Sequence, residues 1–220
     1  MIVNTDTAEY IRRRGSMTGP GKWNGAYYYS LEICRNIIPN VQTDRSWITV
    51  NAPGAGAEDG AIVFIHNNIH TNTYDWLAKY KDLVLVCGIP ETVEKVEHLG
   101  TAVYLPISID VNEVTAHKAE KTRDRAYVGR PSKRSGIQLA PGTDFIEGMP
   151  RERLLDEIAR YREVYAVGRC ALEAKALGCR ILPFDPRFPD PERWQVIDNR
   201  EAAAQLQRIL DDIEGGNQNK

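Results

Sequence analysis

The sequence predicts an α/β protein built as two small Rossmann-like domains, with parallel sheets facing a cleft. Three observations carry that prediction. Short β-compatible apolar runs recur along the chain with helical runs between them, and strands separated by helices imply parallel sheets. Runs such as Leu83–Gly88 (LVLVCG) lack polar alternation, as expected of strands buried on both faces. A polar stretch without strand character, residues 112–124 (NEVTAHKAEKTRD), parts the runs into two sets. It reads as a link, and places the domains at 1–115 and 116–220.

In the first set, strands are expected at Ile2–Asn4, Trp47–Asn51, Ala61–His66, Leu83–Gly88 and Ala102–Pro106. Tyr27, Leu31, Cys34 and Ile38 form a helical stripe over Ala26–Ile38, ended by Pro39-Asn40. A short helix is expected at Asp75–Tyr80. Another, Glu91–Leu99, follows Pro90 and stops at Gly100. In the second set, strands are expected at Arg125–Gly129, Asp144–Glu147, Val164–Val167, Cys179–Phe184 and Gln195–Ile197. Pro150 suits a first helical position, with Leu154, Leu155, Ile158 and Tyr161 on one face. Asp198 with Glu201 reads as a capping box for a last helix reaching Ile213, and the Gly-Gly-Asn-Gln-Asn-Lys after it as a frayed tail.

Composition narrows the function. The 220 residues carry a net charge of −2, so no global basic field recruits nucleic acid. With 42% hydrophobic and 26% charged residues the chain reads as globular and soluble. Its apolar runs are too short to span a bilayer, and the N-terminus shows no signal-peptide pattern. Cys34, Cys87, Cys170 and Cys179 are scattered, which favours reduced core thiols over disulfides or a metal site. The expected compartment is the cytoplasm.

The densest chemistry lies in residues 163–185, EVYAVGRCALEAKALGCRILPFD. Gly168 breaks a strand and opens a helix, Gly178 ends that helix, and a strand resumes at Arg180. A glycine turn at a helix N-terminus presents backbone N–H groups to an anion, and Arg169 adds a cation. Glu173 follows one turn later on the same side, about 6 Å along the axis, within reach of a ribose diol. The other reading of Arg169 and Glu173 is a surface ion pair worth about 0.2–0.5 kcal/mol. Upstream, AYVGRPSKRSG is a strand followed by a basic turn holding Gly129, Arg130, Lys133 and Arg134, suited to a diphosphate or to a solvated loop. AIVFIHNNIH ends a buried strand with His66, Asn67, Asn68 and His70, where α/β proteins bind ligands. His66 is expected to bond a donor sugar, to act as a base, or to be a capped loop histidine. A zinc site there lacks a third ligand. Gly19-Pro-Gly-Lys-Trp-Asn-Gly is glycine-rich, but no G-K-[ST] follows, so it is not a P-loop. Arg12-Arg13-Arg14 reads as a solvated face or a contact for a polyanionic acceptor. Trp23 and Tyr28 are aromatics on which a sugar acceptor can stack.

The run GRCALEAKALGCRILPFD resembles the nucleotide-sugar segment of GT-B glycosyltransferases, G-x-x-x-x-E-A-x-A-x-G-x-P-V, through Gly168, Glu173, Ala174, Ala176 and Gly178. The Gly129-Arg130 turn resembles the family's G-R-x-K-G diphosphate element, with a shorter spacing to Lys133 or Arg134. Phe145-x-Glu147-Gly148 resembles its next strand and turn, and Ala102–Asp110 its P-x-G-V-D strand. The matches at residues 125–185 run in the family's order. The resemblance implies a compact, metal-independent, hexosyltransferase-like enzyme using a nucleotide-diphosphate sugar, with no further cofactor. The donor would meet Gly25, Arg130, Lys133, Arg134, Gly168, Arg169 and Glu173, with Glu173 on the ribose. His66 would stand by the transferred sugar, and Trp23 and Asn67 on the acceptor side in the N-terminal domain. The acceptor is open between glycan, protein and modified DNA. Many retaining members carry a second Glu eight residues before the ribose Glu, where this chain has Tyr165. That departure leaves a second reading, a non-catalytic nucleotide or nucleotide-sugar binder with a degenerate GT-B fold.

Overall fold

The computed structural model describes residues 25–49, 57–66, 75–130, 136–183 and 190–217. The expected strand at Ile2–Asn4 lies outside them. Two parallel four-stranded sheets with helices between their strands make this an α/β protein, consistent with two Rossmann-like halves. Contacts divide the described chain into two compact units. One comprises Ala26–Ile107 with the described part of Asn199–Lys220, and the other Ser108–Asp198 together with Gly25.

The first unit holds β1 (Trp47–Thr49), β2 (Ile62–Ile65), β3 (Leu83–Cys87) and β4 (Gly100–Tyr104), paired in that order. Every residue of β1, β2 and β3 is buried, which is why no polar alternation appears in those runs. β4 borders the sheet, starts two residues earlier than expected and is half-exposed. Helix α1 (Gly25–Glu32) widens into a π-turn, Ile33–Ile37, and tightens into a 3-10 turn, Ile38–Asn40. Pro39 has no N–H, and its ring collides with the carbonyl four residues back, so a regular helix cannot run through it. The buried stripe is Tyr29, Ile33 and Ile37, one step round from the expected Leu31 and Cys34. Helix α2 (Pro90–Val96) begins at Pro90 and closes through a 3-10 turn, Glu97–Leu99. The expected Asp75–Tyr80 helix is shorter, helical over 75–77.

In the second unit, helix α3 (Val111–Thr115) stands at the start of the polar stretch read as a link. Asp110 caps it by accepting the Glu113 N–H at 2.8 Å. Strands β5 (Arg123–Val128), β6 (Asp144–Ile146), β7 (Tyr161–Tyr165) and β8 (Arg180–Leu182) form a sheet in the order β6-β5-β7-β8. Helices α4 (Arg151–Ile158) and α5 (Arg169–Ala176) connect β6 to β7 and β7 to β8. Tyr161, expected on a helix face, opens β7, and β5 starts at Arg123 rather than Arg125. Charged cross-strand partners carry these extensions, since Arg125 pairs in register with Glu163 and Glu163 with Arg180. Glu163 accepts from Arg125 Nη2 at 2.7 Å and also from Arg180. Gln195–Ile197, expected as a strand, does not form one; Ile197 O accepts the Ile109 N–H beside an isolated bridge between Ile109 and Asp198. Asp198 Oδ2 accepts the Val111 N–H at 3.2 Å, so this carboxylate serves α3 as well as flanking the last helix.

The last helix, α6 (Asn199–Asn217), packs into the first unit through Ala202, Ala203, Leu206 and Leu210, all buried. Buried Asn199 hydrogen-bonds Glu32 of α1. Gln207 Oε1 takes the Gln42 N–H at 2.6 Å.

Candidate functional site

Strand order decides where the second unit can bind a ligand. β5 leads outward to β6 on one side, whereas β7 leads outward to β8 on the other. The chain therefore reverses its winding between β5 and β7, and open parallel sheets bind ligands at the carboxyl ends of such a pair. Tyr127 of β5 is in register with Tyr165 of β7. Gly129-Arg130 starts two residues past the first, and Gly168-Arg169 three residues past the second. The two anion-suited turns expected from the sequence thus leave the sheet at the ends of neighbouring strands.

Gly168 caps the N-terminus of α5 with φ 62° and ψ −139°, a conformation side-chain-bearing residues avoid. The turn from β7 into α5 needs glycine for this backbone shape. It does not need it for space, since none of the described residues lies within 4 Å of an added Cβ. Gly178 ends the helix in the left-handed region at φ 81°, as expected. At that end Lys121 Nζ donates to Leu177 O at 2.9 Å and to Cys179 Sγ at 3.2 Å, a cation where the helix dipole is negative. Burial pushes the Cys179 thiol pKa up, and Lys121 partly offsets that.

Arg169 and Glu173 do form the i,i+4 pair, Nε to Oε1 at 2.8 Å. It is not the exposed pair that spacing alone allows, because the two side chains are 2% and 3% exposed. Arg151, the first residue of α4, donates its Nε to the same Oε1 at 3.1 Å. Its Nη1 holds Glu113 of α3. Burial alone would lower the Arg151 pKa, but the Glu173 and Glu113 carboxylates outweigh it and hold the guanidinium above its ordinary range. Two carboxylates and two guanidiniums thus tie α3, α4 and α5 into one network. Among the described residues, Glu173 Oε2 accepts no hydrogen bond.

Sequence reasoning missed Arg151 and Glu113. Asp110-x-x-Glu113 is a capping signature, and it was the available signal for α3. The partnership of Arg151 with Glu173 joins residues 22 positions apart and has no local signal.

Arg130 is exposed, and among the described residues its side chain makes no ion pair. Its carbonyl accepts the Tyr127 hydroxyl at 2.9 Å, which fixes the turn. Lys133 and Arg134 lie outside the described residues, as do Trp23 and Asn67. Tyr165 is buried at the end of β7. On β6, Phe145 is 50% exposed, 6.2 Å from the Tyr127 ring.

Gly25 is the first residue of α1. His66 follows β2, its ring 4.9 Å from that of Tyr29 on α1 and both ring nitrogens shielded from solvent. Burial, reinforced by Cys87, holds the Tyr29 hydroxyl above the ordinary tyrosine range. Burial pushes the Cys87 thiol up to about 12. Among the described residues no group of three or more His, Cys, Asp or Glu is placed to hold a metal ion, and no helix is long and apolar enough to cross a membrane. No protein-family model, curated protein or solved structure matches the chain.

Proposed function

We propose that the second unit binds a nucleotide-diphosphate sugar at the β5–β7 switch point, and that the chain transfers the sugar to an acceptor. The observation that carries this reading is the pairing of turns. An exposed arginine after β5 and a glycine-capped helix N-terminus after β7 leave adjacent strand ends. A diphosphate bridging them meets the Arg130 guanidinium on one side and the α5 dipole on the other. One turn into α5, Glu173 keeps one oxygen uncommitted for a ribose hydroxyl. Leaving-group stabilisation by cations and a helix dipole is the physical core of such a transfer.

The second reading, a binder without transferase activity, is favoured by Tyr165 and by the shielded nitrogens of His66. A general base has to reach the proton it removes. Incubation with a panel of labelled nucleotide sugars separates the two, since a transferase releases the nucleoside diphosphate and a binder does not. Binding itself is read by thermal shift. A nucleoside diphosphate at 100 times its Kd adds about 2.7 kcal/mol of stability. Arg130→Ala is expected to weaken that binding about tenfold with the melting temperature of the free protein unchanged. No shift with any nucleoside diphosphate would sink both readings.

A further inference from the structure

We propose that Arg151 is a positioning residue that makes this site selective for ribonucleotides. The inference rests on the donor-site reading above. Glu173 Oε1 is gripped from two directions, by Arg169 on its own helix at 2.8 Å and by Arg151 on α4 at 3.1 Å. The carboxylate is 3% exposed, so little solvent competes for it. Left with Arg169 alone, a carboxylate commonly rotates into a two-pronged fork that consumes both oxygens. Arg151 opposes that rotation because it pins Oε1 from a second helix, and Glu113 of α3 holds Arg151 from its other side. Oε2 is thereby kept as an acceptor without a partner among the described residues.

An ionised carboxylate oxygen only accepts hydrogen bonds, so the group it selects is a donor such as a ribose hydroxyl. A sugar lacking those hydroxyls leaves a buried, charged acceptor unsatisfied. The free-energy cost of that falls on the dideoxy ligand and not on the diphosphate contacts.

The test measures Kd by calorimetry for ADP, GDP, CDP and UDP and for the 2′,3′-dideoxy form of each. For the best-bound base, the wild type is expected to prefer the ribonucleotide about tenfold or more. Arg151→Met is expected to bring that preference close to one by weakening ribonucleotide binding, with the dideoxy Kd little changed. Equal weakening of both ligands would make Arg151 merely structural and overturn the proposal. A wild type that binds both ligands equally would also overturn it, while leaving the donor-site reading standing. A wild type that binds no nucleotide would remove the donor site itself. If Arg151→Met does not fold, Glu113→Gln releases the outer tether of Arg151 and is judged by the same ratio.

Discussion

Glu173 is held by two arginines and almost fully buried, and that changes what its removal reports. Glu173→Ala leaves two buried guanidiniums facing a gap, and breaking a buried ion pair from one side costs about 3–5 kcal/mol. Urea unfolding should show that loss, so weak binding by this variant mixes folding with recognition. Glu173→Gln keeps the shape and one acceptor, and is the variant for ligand assays. Gly168→Ala isolates a different effect. Among the described residues no atom stands in the way of the new methyl. Any destabilisation, expected at about 1–3 kcal/mol, therefore comes from the backbone conformation alone. An alanine variant with wild-type stability in urea would show that the turn relaxes freely. Spacing made the Arg169–Glu173 contact legible, because four residues bring two side chains together on any helix. Burial of the pair was not legible. It depends on Arg151 arriving from another helix, a fact of packing rather than of pattern.

At the level of elements, apolar runs located seven of the eight strands to within two residues, since strands buried on both faces carry the plainest signature. The eighth, β7, was placed three residues late at its start. Its first half (Tyr161, Arg162 and Glu163) is stabilised by charged and aromatic neighbours on β5 and β8, which an apolar pattern does not register. Strand order was not legible either, although it creates the switch point. Helix α5 is held at its far end by Lys121. Replacing it by methionine removes a cation from the negative end of the dipole, a loss of about 0.3–1 kcal/mol. The same variant should raise the Cys179 thiol pKa further, because Lys121 is the group opposing burial there. The pH profile of iodoacetamide alkylation at Cys179 reads that shift, and an unmoved profile would disprove the coupling.

For the molecule as a whole, buried thiol and phenol groups make alkaline pH destabilising. Folded, Cys87 titrates at about 12 instead of 9.0. As pH climbs past 9.0 the unfolded chain loses its thiol proton while the folded protein keeps it. The folded state then holds more protons, and stability falls steadily until the folded pKa is reached. Tyr29, whose hydroxyl is also shifted upward, adds to the fall in the same direction. Urea midpoints measured from neutral pH to about pH 11 should decline, and Cys87→Ala should make the decline shallower. An unchanged slope would show that Cys87 is not the source.

The last helix also sets an order of assembly. All four strands of the second unit's sheet are encoded within Ser108–Asp198. The first unit must wait for α6, whose Leu206 and Leu210 are buried in it and whose Asn199 bonds Glu32 across 167 positions of chain. Domains usually fold in the order in which the ribosome makes them. Here the half whose sheet is translated first is completed last, and until α6 has been synthesised the apolar groove left by its absence is open to chaperones and to neighbouring nascent chains.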